Sequence, residues 1–281
     1  MIFDPAAIRE RVSTRSFDGT PLSAEQVSAL EAAFAECLPA PFGSTPRFAL
    51  VAAEPGTAAA KMGTYGLLTK VPAYIVGAVR LGGMAMEDFG YALEGIVLRA
   101  TELRLGSCWL GGVFDRGRAA RALRLGDGEV VPAALALGRP SAARSLQDRI
   151  VYAAAGARRR KDPSELFFRA GSSGAWTPFA EPGEWAAILD AVRLAPSASN
   201  KQPWRVLAED GKGILHLFLS EDKLYNAALK PVRLQNMDMG IALRHVEAAA
   251  GAGGLTGNIR RLEASPACPR GWEYIASWVR E

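Results

Sequence analysis

The sequence predicts an α+β protein of two tandem halves, each a small β-sheet flanked by helices, packed as an intramolecular pseudo-dimer. Three observations lead there. Gly95-Ile96-Val97-Leu98-Arg99-Ala100-Thr101-Glu102 matches Gly240-Ile241-Ala242-Leu243-Arg244-His245-Val246-Glu247 at Gly, Ile, Leu, Arg and Glu, at a constant offset of 145 that also sets Gly106 on Gly251. Pro39 and Pro46 fall on Pro196 and Pro203 at an offset of 157, so about a dozen residues are missing from the middle of the second copy, where a loop tolerates the loss. Finally, both halves read as helix, strand, strand, long helix, strand. A chain of 281 residues has room for two units of ordinary size.

The first half opens on Asp4-Pro5, an Asp cap with Pro at the first helical position, ahead of a short helix over 6–12. Ser23-Ala24-Glu25-Gln26 is a capping box, and Val27, Leu30, Ala33 and Phe34 recur at helical spacing until Pro39 ends the helix. Residues 47–53 and 73–79 are apolar, partly β-branched runs closed by Pro or Gly, which read as strands. Residues 85–105 are the longest helical candidate, and 129–138 reads as a buried strand. In the second half the helix falls at 183–194, strands at 204–208 and 214–220, the long helix at 235–251 and the last strand at 272–279. Residues 154–174 carry basic residues, Pro163 and Gly-Ser-Ser-Gly, linker chemistry interrupted by a short amphipathic piece at 164–168. The expected halves are therefore 1–170 and 171–281.

Composition narrows the function. Basic residues number 33 against 29 acidic, and the excess of +4 gathers in 116–124 and 158–161. Such runs read as solvated helix faces and lack the interleaved aromatics of a single-strand nucleic-acid groove, so small anions are expected and nucleic acid is not. Cys37, Cys108 and Cys268 are too few and scattered for a disulfide framework or a zinc site, and read as reduced thiols. Asp4, Arg9, Glu10 and Arg11 do not fit a signal peptide, and no apolar run approaches the roughly 18 residues of a membrane helix. The expectation is a soluble cytoplasmic protein. His216 and His245 lie on unrelated elements, so no metal site is expected; His216 alternates within an apolar strand as a core or edge residue, and His245 packs or faces solvent.

Three motifs carry chemistry. Arg11, Ser13 and Arg15, spaced as Arg-x-Ser-x-Arg at the end of a short helix, offer two planar guanidiniums and a hydroxyl, which suits a phosphate. Pro196-Ser197-Ala198-Ser199-Asn200-Lys201-Gln202-Pro203-Trp204 ends a helix, crosses a polar loop and enters a strand; its hydroxyl and amide groups both donate and accept, as a heterocycle with mixed edges requires. A hydrogen-bonded turn is the other reading. Gly106-Ser107-Cys108-Trp109-Leu110-Gly111-Gly112 follows the long helix, and its glycines let a ring or phosphate approach the backbone, unless the turn is simply a helix C-cap. Cys108 beside it reads as a packing residue. The copies are complementary: Ala40, Phe42 and Gly43 stand opposite Ser197, Ser199 and Asn200, and Ser173, Ala175 and Thr177 stand opposite Arg11, Ser13 and Arg15. One composite site therefore survives.

Taken as a set, these motifs, with Leu-Gly-Arg-Pro after a late strand, resemble the FMN-dependent nitroreductase superfamily, and more narrowly its single-chain members with two fused halves. The resemblance covers nearly the whole chain. It implies a nitroreductase-like fold, FMN as cofactor and NAD(P)H as electron donor, with hydride passing through one flavin per chain to a small acceptor such as a nitroaromatic or quinone. It also implies a monomer, since the dimer interface of ordinary members is already internal. Carried over, Arg11, Ser13 and Arg15 hold the phosphate and pyrimidine side of the flavin, with Arg15 tuning the reduced form. Trp109, Leu110, Gly111 and Gly112 lie along the ring with backbone donors near N5, Arg160 adds a late phosphate ligand, and Pro196, Ser197, Ser199 and Asn200 approach from the second half. No catalytic side chain is implied. Arg104-Leu105-Gly106 departs from the usual Gly-Leu-Gly, and the second half lacks the phosphate arginines. The reading from a different class is a non-catalytic scaffold of the same fold that binds flavin or assembles without turnover.

Overall fold

The computed structural model describes residues 2–53, 68–112, 114–142, 159–170, 176–179, 183–227, 231–264 and 266–281. Much of the expected linker, including the counterpart positions Ser173 and Ala175, lies outside them. Contacts divide the chain into two compact units, Glu10–Arg158 and Met1–Arg9 with Arg159–Glu281. The crossover thus falls about twelve residues before the expected 170, and the first nine residues go with the later unit. Phe3 explains that allegiance: it is fully buried, under the guanidinium of Arg244 at 5.8 Å.

α1 (Pro5–Glu10) leads into the earlier unit, which holds α2 (Ala24–Glu36), β1 (Arg47–Ala52), β2 (Ala73–Arg80), α3 (Ala85–Glu102), β3 (Gly106–Leu110), α4 (Arg116–Leu123), β4 (Glu129–Val130) and β5 (Ala134–Gly138). The capping box forms as read: Gln26 N donates to Ser23 Oγ at 3.2 Å and Ser23 N to Gln26 Oε1 at 3.1 Å. The sheet runs β1-β2-β5-β3, all antiparallel, with β4 on the end of β2. The strand expected over 129–138 is two pieces because Pro132 has no N–H to give a ladder. Residues 106–110, expected as a glycine-rich turn, form edge strand β3, whose Cys108 and Leu110 enter a core with Phe17, Val76 and Leu123.

The later unit contains α5 (Pro163–Leu166), β6 (Phe167–Ala170), β7 (Trp176–Pro178), α6 (Ala186–Leu194), β8 (Trp204–Glu209), β9 (Ile214–Ser220), α7 (Lys223–Ala227), α8 (Leu234–Ala252), β10 (Gly257–Arg260) and β11 (Trp272–Arg280). Its sheet order is β10-β11-β9-β8-β6-β7, with only the β6·β8 pair parallel. Read from β8, the path β8-β9-β11-β10 repeats β1-β2-β5-β3. No counterpart of α4 occurs among the described residues between β10 and β11. That face is closed by Phe168, Trp176, Phe218, Trp272 and Tyr274, with ring centroids 4.9–5.7 Å apart.

The two long helices end on the same hydrogen bonds, at an offset other than that of the residue identities. Leu103 N to Arg99 O, Arg104 N to Thr101 O and Leu105 N to Ala100 O recur as Gly253 to Ala249, Gly254 to Gly251 and Leu255 to Ala250, an offset of 150. Arg104 and Gly254 both take positive φ, 61° and 73°. The offset of 145 is therefore five residues out of structural register, and Gly106, in β3, is not the partner of Gly251, in α8. The missing residues lie between strands: β1 to β2 spans 53–72, whereas β8 to β9 spans only 210–213.

Candidate functional site

Two of the three motifs meet in the earlier unit. Ser13 forms a parallel bridge with Ser107, Thr14 N donates to Ser107 O at 2.8 Å, and Ser16 and Phe17 bridge Thr69 and Pro140. The Arg-x-Ser-x-Arg segment is thus an extended run on the open side of β3, and period-two alternation separates Arg11, Ser13 and Arg15 from Val12 and Thr14. Gly106 allows this approach: a Cβ there would stand 2.5 Å from Thr14 Oγ1 and 2.8 Å from Thr14 Cβ. Gly106→Ala is expected to lower stability by about 1–3 kcal/mol through overpacking, and Thr14→Gly in the same chain to restore most of it, as read by chemical denaturation.

The two arginines do different things. Arg11 is 8% exposed and its Nε lies 3.9 Å from Oε1 of Glu94, which is fully buried on α3; the Trp109 indole N–H donates to the other oxygen, Oε2, at 2.9 Å. Trp109 is thereby turned onto α3, whereas Leu110 enters the core. Arg15 Nη1 is buried with no hydrogen-bond partner among the described residues, and no ion pair of Arg15 occurs among them. Gly111 and Gly112 follow β3, and the Gly111 carbonyl accepts a hydrogen bond from Arg116 Nη2. A cavity of about 190 Å³ opens beside Arg11, lined by Thr14, Thr101, Arg104 and Gly106. It is below the roughly 300 Å³ at which cofactor-sized sites begin, so it has room for a small ion and not for a flavin.

The Pro-Ser-x-x-Asn loop lies in the later unit and is held by its own neighbours. Ser199, Asn200 and Gln202 all take left-handed φ, 49°, 53° and 48°, a strain of about 1–3 kcal/mol each for non-glycine residues. Several bonds offset it. Arg160 donates from Nη1 to Asn200 Oδ1 at 2.9 Å and from Nη2 to Leu194 O at 3.0 Å, and Asn200 Nδ2 donates to Arg159 O at 2.7 Å. Gln202 N donates to Ser197 Oγ at 2.9 Å, Lys161 N donates to Gln202 Oε1 at 2.9 Å, and Ser199 Oγ lies 3.0 Å from Tyr225 Oη. Pro196 leads in after α6. Arg160, expected as a phosphate ligand, has both terminal nitrogens engaged in bracing this loop. Lys161 and Arg205 both donate to the Gln202 carbonyl, at 3.5 and 3.3 Å, and burial lowers the pKa of each.

Beneath the loop lies Asp238 of α8, 3% exposed. Its Oδ1 accepts from Ala198 N at 2.9 Å, its Oδ2 has no partner among the described residues, and burial pushes its pKa up to about 8 against the lowering effect of the Ala198 bond. Its counterpart at the 150 offset, Asp88, accepts from two amides, Phe42 N at 2.9 Å and Ser44 N at 2.8 Å. Burial raises that carboxyl too, and these bonds oppose it. Sequence reasoning passed over Glu94 and Asp238, and gave no individual role to Arg116 in its basic run or to Gln202 in its loop. Glu94 and Asp238 carried a usable signal, as acids set within otherwise apolar stretches of long helices.

His216 is buried with Nδ1 2.7 Å from Ser277 Oγ, and His245 is buried with Nδ1 2.9 Å from Ala191 O. Among the described residues no group of three His, Cys, Asp or Glu side chains could hold a metal ion, and no helix is long and apolar enough to cross a membrane.

Comparison with known proteins adds a family. A protein described as "a putative nitroreductase" from Thermotoga maritima has a crystal structure that matches with TM-score 0.60 over 98% of this chain and 92% of that one, at 18% identity, a likeness of fold. One from Desulfovibrio desulfuricans, described as a "putative nitroreductase in complex with fmn", matches 51% of this chain and 92% of that one at 25% identity and TM-score 0.40. A stretch of 78 residues is 39% identical to "Putative NAD(P)H nitroreductase acg" of Mycobacterium tuberculosis; it is 27% of this chain, and spans only 23% of that relative's length. The family model described as "Putative TM nitroreductase" matches residues 5–250, most of both units, and the chain belongs to that nitroreductase family.

Proposed function

We propose that the protein is an FMN-dependent oxidoreductase that takes electrons from NADH or NADPH and delivers them to a small acceptor such as a nitroaromatic or a quinone, with one flavin per chain. The observation that carries this reading, within a nitroreductase-family chain, is Arg15: a guanidinium nitrogen buried with no hydrogen-bond partner among the described residues, on the extended segment beside β3. Leaving such a donor unsatisfied costs about 1–3 kcal/mol, and a phosphate or the electron-rich edge of a flavin relieves it.

When bound, FMN supplies the exchange of two electrons between nicotinamide and acceptor. The chain's own residues bind and orient. Arg15 and Ser13 hold the anionic and pyrimidine side, Arg11 stands beside them with its charge balanced by Glu94, and the Gly111–Gly112 backbone presents donors. Ser197, Ser199 and Asn200 offer hydroxyl and amide groups suited to a heterocycle, on a loop that Arg160 and Gln202 keep in shape. The shared strand order of the two units, with guanidiniums kept on only one, supports reading the chain as a fused pair that retains a single site. On the same reading it works as a cytoplasmic monomer.

The visible spectrum of the protein purified without added cofactor, repeated anaerobically after NADPH or NADH, tests the proposal. A flavin spectrum that bleaches with either nucleotide is expected. A colourless protein that also refuses added FMN overturns it in favour of the scaffold reading.

A further inference from the structure

The first turn of α4 has the wrong charge for its position. Arg116 stands at N1 and Arg118 at N3 with no acid inside the turn, although the positive end of the helix dipole favours anions there. Asp115, the N-cap, answers Arg118 at 2.8 Å. Arg116 forms no ion pair among the described residues: its Nη2 donates to the carbonyls of Gly111 and, at 3.4 Å, Pro132, and its guanidinium lies 4.7 Å from the Phe114 ring centroid. Burial lowers its pKa, the mark of a partly desolvated cation. Placing such a charge against the helix dipole does nothing for α4, so its reason lies at the other end of the hydrogen bond.

The Gly111 carbonyl and the Gly112 N–H belong to one peptide unit. A cationic donor on the oxygen draws electron density through the amide and makes the opposite N–H a stronger donor; such charge-assisted bonds are roughly twice as strong as neutral ones, and chained bonds reinforce one another by about 10–30%. We propose that Arg116 is a positioning residue that locks the Gly111–Gly112 peptide and makes the site prefer reduced, negatively charged flavin over the oxidised form. The proposal rests on the FMN reading above. Gain of two electrons and one proton leaves the flavin with one net negative charge on its ring, and this unpaired cation is placed to offset that charge through the peptide.

The test uses the full-length holoprotein with FMN and the variants Arg116→Met, Arg116→Gln and Arg116→Lys. Affinity for oxidised FMN is read from flavin fluorescence, and the midpoint potential from anaerobic dithionite titration against a reference dye. Loss of the charge in Met and Gln is expected to leave oxidised FMN bound while weakening the reduced form about tenfold relative to it, which for a two-electron couple moves the midpoint about 30 mV more negative. Lys, keeping the charge without the planar fork, is expected to recover part of the shift. Gln, which can still donate to Gly111 O, carries the comparison if Met does not fold. Flavin bound with the same midpoint in all the folded variants overturns the role of Arg116 while leaving the FMN reading intact. A wild-type protein that binds no FMN overturns both.

Discussion

Arg15→Met is expected to bind FMN about 10- to 100-fold more weakly than the wild type, the equivalent of one charge-assisted hydrogen bond of roughly 1.5–3 kcal/mol, while its melting temperature stays within a degree or two of the wild type's, as for substitutions that break no internal contact. Arg11→Met is expected to do the reverse first. Arg11 lies 3.9 Å from the fully buried Glu94, and removing one partner of a buried pair costs about 3–5 kcal/mol because the other charge is left in the interior. Arg11→Met should therefore melt far below the wild type, and Arg11→Met combined with Glu94→Gln should recover much of the loss, since the amide still accepts the Trp109 N–H. Thermal melts and FMN titration on the three proteins separate the roles. If Arg15→Met loses stability and keeps its flavin affinity, Arg15 is a structural residue and the flavin reading loses its main support. Two arginines of one motif, four residues apart, thus have different surroundings, Glu94 beside Arg11 and no partner among the described residues for Arg15 Nη1, and only the structure tells them apart.

That contrast shows what the sequence could and could not give. The α+β class and the capped helix α2 follow from periodicity and capping, because Ser23, Gln26 and the apolar spacing act locally, and both long helices lie where they were expected. The polar loop between α6 and β8 was legible as well, since a Pro-bounded polar run between helix and strand is a local signal. What escaped depends on distant partners. β3 was hidden because Gly106, Gly111 and Gly112 look like a turn until β5 and the Ser13 segment pair with the residues between them. The five-residue slip of the long-helix match came from trusting Gly, Ile, Leu, Arg and Glu identities on helices where many positions are buried in both copies, whereas the chain reversal after each helix sets the true register. Arg160 was expected as a phosphate ligand from a basic run that has no address in one dimension; in the folded chain its terminal nitrogens donate to Asn200 and Leu194.

Asp238→Asn is expected to make the protein more stable at pH 8 and to leave it little changed at pH 4. In the folded chain burial holds this carboxyl protonated up to about 8, whereas in the unfolded chain it ionises near 3.9. Below about 4 both states carry the proton and the group contributes nothing to the pH dependence. Between about 4 and 8 the unfolded state has released the proton and the folded state has not, so stability falls as pH rises, by about 1.4 kcal/mol per unit and on the order of 5 kcal/mol in all as an upper bound. Above 8 both are ionised and the loss is complete. Asn is neutral throughout; its oxygen can accept the Ala198 N–H and its amide takes the place of the Oδ2 hydroxyl, so it removes the slope without removing the bond. The difference in melting temperature between variant and wild type should widen steadily from pH 5 to pH 8. Parallel curves would mean that the carboxyl is already ionised at pH 5 and has a partner for Oδ2. Asp88, whose two oxygens each receive an amide, is the internal control: Asp88→Asn replaces one acceptor by a donor facing an N–H, and should destabilise over the same range in which Asp238→Asn stabilises. Opposite signs from the same substitution at equivalent places would show that the later unit forgoes one amide bond to Asp238, which is a stability cost of holding Ser197, Ser199 and Asn200 in their strained loop.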